Sequence, residues 1–78
     1  MDESKQREVF VGMLENEARA QQAAEGAQIA DLIHARASAM IDLAMAFELI
    51  DYDAAGRVLG ALTRKELSGR VEELIAAS

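Results

Sequence analysis

The sequence predicts an all-α protein: a long N-terminal helical segment, either one bent helix or a helical hairpin, then two short C-terminal helices, paired as a helical-bundle dimer. Three observations carry this. Alanine fills 16 of 78 positions and proline none, so helix propensity is high and nothing breaks it. Two phenylalanines and one tyrosine are the whole aromatic complement, too little for the half-buried strands of a β domain. Large apolar residues recur three and four positions apart, the spacing of one face of a helix.

Residues 4–50 contain two glycines, Gly12 and Gly26, among Ala, Glu, Gln, Arg, Leu and Met. Ser4 opens this stretch, with Asp2 and Glu3 placed favourably against the helix dipole. Ile29, Leu32, Ile33, Met40, Leu43, Ala44, Phe47 and Ile50 fall on one stripe, roughly 120° wide at about 100° per residue. Arg36 lies within that stripe. Val9, Phe10, Met13 and Leu14 make a second patch, which on a straight helix points roughly 130° away from the first. Glu25-Gly26 is the expected break. Ile41, Met45 and Leu49 add apolar character opposite Phe47, so residues 29–50 read as a central helix with neighbours on both flanks.

Asp51 or Asp53 can cap a helix over about 53–61 that presents Val58, Leu59 and Leu62. Thr63-Arg64-Lys65-Glu66 matches the capping-box pattern and predicts a last helix over about 64–76, with Leu67, Val71, Leu74 and Ile75 on its stripe. This pair is expected to pack back on Phe47 and Ile50. The whole of 1–78 reads as a single small helical domain. The joint Phe47-Glu48-Leu49-Ile50-Asp51-Tyr52-Asp53-Ala54-Ala55 is similar to joints in small helical proteins carried by phages and plasmids, and it names no family.

The absence of cysteine excludes a disulfide scaffold, a thiol enzyme and a Cys-based zinc site. His34 is the single histidine, with Asp31 and Ser38 as its helical neighbours, short of the three or four ligands a metal needs. No nucleophile elbow or phosphate-binding loop is present. The expectation is a non-enzyme with no catalytic residue, metal or cofactor. The longest apolar run near the middle, Leu43–Phe47, is far below the roughly 20 residues of a membrane helix. The charged start Met1-Asp2-Glu3-Ser4-Lys5 does not lead into a signal-type apolar core, which points to the cytoplasm.

The net charge is −6 and is uneven: residues 1–53 carry four positive and eleven negative charges, residues 54–78 four and three. An acidic body of this kind repels phosphate backbones and favours basic partners. The functional expectation is a small acidic protein–protein interaction module, an adaptor or inhibitor from a phage or plasmid, acting as a homodimer. Ile29, Leu32, Ile33, Arg36, Met40, Leu43, Phe47 and Ile50 form the expected interface, with Arg36 either snorkelling to the rim or paired with a carboxylate of the second subunit. The alternative is a DNA-binding accessory protein that uses a helix-turn-helix-like segment over 54–76, with Arg57, Arg64, Lys65 and Arg70 as contacts and a recognition helix starting at Arg64.

Overall fold

The computed structural model describes residues 2–76; the ends of the 1–78 unit lie outside the described residues. The described residues form four helices and the chain is all-α: α1 (Glu3–Ala23), α2 (Ala27–Ala46), α3 (Tyr52–Thr63) and α4 (Val71–Ala76). Among the described residues no helix is long and apolar enough to cross a membrane.

The N-terminal segment is a hairpin. Asp2 caps α1, its Oδ1 accepting from the Lys5 amide at 2.8 Å. Ala24 then turns extended, and Gly26 serves as N-cap of α2 without a side chain to donate or accept. The break therefore sits at the expected glycine. Reversal of the chain there brings the two N-terminal apolar patches onto neighbouring helices, where a straight helix would have held them apart.

Helix α2 ends at Ala46, four residues before the expected Ile50. Phe47 is the C-cap, and Glu48 adopts a left-handed conformation with φ 61°. The Leu49 amide donates to the Ala44 carbonyl at 2.8 Å and the Glu48 amide to Met45 at 3.0 Å, which is a Schellman closure with a glutamate where glycine is usual. Asp51 then caps α3, accepting from the Ala54 amide at 2.7 Å.

The same closure recurs at the end of α3 and overturns the capping-box expectation. Thr63 belongs to the last turn of α3, and its hydroxyl donates to the Leu59 carbonyl at 3.0 Å instead of starting a helix. Lys65 is left-handed at φ 60°, the Glu66 amide donates to Ala61 at 2.8 Å and the Lys65 amide to Leu62 at 3.1 Å. Residues 64–70 form a non-helical connection with turns at 64–65 and 68–70, and the final helix begins at Val71, not Arg64. Gly69, also left-handed at φ 78°, keeps this connection non-helical.

Side chains of α1 hold that connection in place. Gln21, buried, donates through Nε2 to the Leu62 carbonyl at 3.2 Å. Gln22 Nε2 donates to the Lys65 carbonyl, and Glu15 Oε1 accepts from the Gly69 amide. Gln21 thereby adds a second donor to a C-terminal carbonyl of α3, and the Lys65 carbonyl and the Gly69 amide of the connection gain side-chain partners. Arg57 Nε does the same for α4, donating to the Leu74 carbonyl at 2.9 Å.

One core joins all four helices. Phe10, Leu14 and Ala18 from α1 meet Ala37, Ile41 and Ala44 from α2, Val58 and Leu62 from α3, and Val71 and Ile75 from α4. Leu67 is fully buried and plugs the core from the connection. The alanines at these contacts shorten the distance between helix axes, since their side chains add little bulk.

Candidate interaction surface

The expected interface stripe divides between core and surface. Ile33 and Ile50 are buried, and Met40 is half-buried against the core. Ile29, Leu32, Leu43 and Phe47 face water, exposing 54%, 60%, 58% and 72% of their surface. Phe47 therefore does not receive the C-terminal helices, as its position before the joint had suggested. Only Ile50 does, because the Schellman turn swings Phe47 outward and Ile50 inward.

Residues of α1 complete the surface. Val9 and Met13, one turn apart, stand beside Met40, Leu43 and Phe47. With Phe10, Ala44, Leu49 and Gln6 they line an apolar groove of about 240 Å³ between the two helices. Beyond Met13 the next turn of α1 carries Glu17, and beyond Met40 the preceding turn of α2 carries Arg36. Arg36 Nη2 donates to Glu17 Oε2 at 2.8 Å and Oε1 at 3.1 Å, and Nε to Oε2 at 3.3 Å. The guanidinium thus has its carboxylate within the same chain, and the expected pairing with a second subunit is not needed to neutralise it. The salt bridge divides the surface in two, with Ile29 and Leu32 beyond it.

The surface is thus apolar with one internally neutralised pair, on a chain of net charge −6. Asp31 and Asp42 lie exposed along the outer flank of α2. An apolar strip edged by charge is the ordinary anatomy of a protein-binding face.

The basic residues of the alternative reading do not share a recognition helix. Arg57 caps α4, Arg64 pairs with Glu66 at 3.1 Å and Arg70 with Glu73 at 3.7 Å. Lys65 sits at the left-handed position of the α3 closure. His34, half-exposed, lies with Nε2 3.3 Å from Thr63 Oγ1, tying α2 to α3. Among the described residues no three His, Cys, Asp or Glu side chains converge as a metal site would require. A wider hollow of about 800 Å³, lined by Glu3, Arg7, Glu48, Asp51 and Tyr52 among others, is open to solvent.

No protein-family model, curated protein or solved structure matches this chain. Its surface chemistry is therefore what bears on its function.

Of the residues that make this surface, Val9 and Met13 were legible as an apolar patch, but their place beside Phe47 was not, since it depends on the chain reversal. Glu17 carried no signal as the partner of Arg36. It lies 19 residues away, and only the antiparallel pairing of α1 and α2 brings the two together.

Proposed function

We propose that this chain is a small acidic protein–protein interaction module, an adaptor or inhibitor of phage or plasmid origin, that works in the cytoplasm as a homodimer. The observation that carries the reading is the exposed apolar surface formed by Val9 and Met13 of α1 with Leu32, Leu43 and Phe47 of α2. Scattered single apolar residues are ordinary on a protein surface, whereas Val9, Met13, Leu43 and Phe47 cluster around one groove, with Leu32 past the Arg36–Glu17 pair, and such a cluster loses free energy until it is covered. Apolar contacts supply the affinity, and the acidic flanks steer a basic partner.

The test is capture from extracts of the native host with the wild-type chain and with Leu32→Glu plus Leu43→Glu. Both side chains face water, so the variant keeps its fold, which circular dichroism checks. The reading expects captured proteins that disappear with the variant. Capture unaffected by the substitutions contradicts it. Duplex DNA binding that falls steeply with salt and is abolished by Arg64→Glu plus Lys65→Glu would support the DNA-binding alternative instead.

A further inference from the structure

Resting on that reading, we infer that the outer face of α2 is occupied by α2 of a second copy, antiparallel, in one defined register. The first support is the pattern of this face. Ile29, Arg36 and Leu43 are seven residues apart, and so are Leu32, Ala39 and Ala46, the two sets interleaving at three and four. That is the repeat of a coiled-coil seam. It lies on the side of α2 turned away from Ala30, Ile33, Ala37, Ile41 and Ala44, which face the chain's own core. Helix α2 is thus apolar on two sides, and its own chain covers one.

The second support is self-complementarity. When residue positions of the two copies add to about 75, Leu32 faces Leu43, Ile29 faces Ala46 and Arg36 faces Ala39, and each pairing occurs twice about the two-fold axis. Large side chains meet small ones at every layer except the two Leu32–Leu43 layers. The axis falls near the middle of α2, so the whole helix is used. Arg36 would otherwise approach its own symmetry mate close to the axis. Glu17 draws the guanidinium toward α1 and neutralises it, and Ala39 opposite leaves room.

The third support is area. The exposed parts of Val9, Met13, Ile29, Leu32, Leu43 and Phe47 amount to about 600 Å² per copy, against the roughly 800 Å² per partner of a stable interface. The exposed alanines of the seam and the Arg36–Glu17 pair make up the difference. A neutral face also lets two copies of charge −6 approach where their other surfaces repel.

The absence of cysteine makes the test direct. Spin labels are placed singly at Gln28→Cys and Ala35→Cys, two exposed positions on the same flank of α2, seven residues apart. In the proposed register the two copies' backbones are separated by about 30 Å at residue 28 and about 12 Å at residue 35, from the 1.5 Å rise per residue. A parallel pair gives the same short distance at both positions and overturns the register. Absence of any distance between copies, with each labelled chain sedimenting as a monomer at millimolar concentration, overturns the second copy as occupant. The capture experiment above then judges the interaction reading by itself.

Discussion

Arg36 on α2 and Glu17 on α1 form a bidentate ion pair in the middle of the chain's apolar surface, with a shortest contact of 2.8 Å. Half of the arginine side chain is exposed, so the pair stabilises the monomer by less than about 1 kcal/mol. Its greater consequence is at the face it divides. Glu17→Ala leaves the guanidinium uncompensated beside the dimer axis, and the account expects the dimer dissociation constant to rise about tenfold, roughly 1.4 kcal/mol. Arg36→Leu makes the seam wholly apolar and is expected to tighten the dimer while loosening its register. Analytical ultracentrifugation of the two variants checks both signs.

Salt separates self-association from capture of a basic partner. Two copies of like charge repel beyond their neutral faces, so raising salt from about 0.01 to 0.5 M strengthens the homodimer as the screening length falls. Binding to a basic partner steered by Asp31 and Asp42 weakens over the same range. Titration at several salt concentrations reads the two slopes.

Gln21 is a buried polar side chain, and it donates to the Leu62 carbonyl at the end of α3. Gln21→Leu removes one of the two donors to that carbonyl, which keeps the Lys65 amide, and is expected to cost about 0.5–1.5 kcal/mol. Gln21→Glu, which places an acceptor against an acceptor, costs more. Urea denaturation at fixed chain concentration measures both.

The two left-handed closures yield a stabilising change. Glu48 and Lys65 occupy conformations that favour glycine. Glu48→Gly and Lys65→Gly are each expected to raise stability by about 0.5–1 kcal/mol, measured the same way.

These closures also show what the sequence could reveal. The all-α class followed from the alanine content and the lack of proline, the hairpin break from Glu25-Gly26, and the start of α3 from the pair Asp51 and Asp53, of which Asp51 is the cap. All are local signals read from one or two residues. The ends of α2 and α3 were hidden because each turns through a charged residue rather than a glycine. Thr63 and Glu66 had capping-box spacing, yet the Ala61 and Leu62 carbonyls captured the amides of residues 66 and 65 first. The expected helix over 64–76 therefore shortened to six residues. Asp51→Ala should accordingly lower the melting temperature by about 4–8 °C, the effect of about 1 kcal/mol in a domain of this size. Thr63→Ala, which removes no N-cap, should shift it far less. Thermal melts of the two variants compare them directly.

The expected stripe on residues 29–50 was split for a related reason. Periodicity places Ile33 and Phe47 on one side of a helix, but it does not say where that helix ends or which half its own chain covers. Ile33 went into the core, while the turn after Ala46 left Phe47 in water.

Sedimentation equilibrium on the wild-type chain and on Leu43→Glu tests most directly whether the outer face of α2 is a protein interface. The account predicts a wild-type mass approaching twice 8.4 kDa as concentration rises, and a Leu43→Glu mass that stays at 8.4 kDa with helix content unchanged. Equal masses for the two chains at every concentration would contradict it.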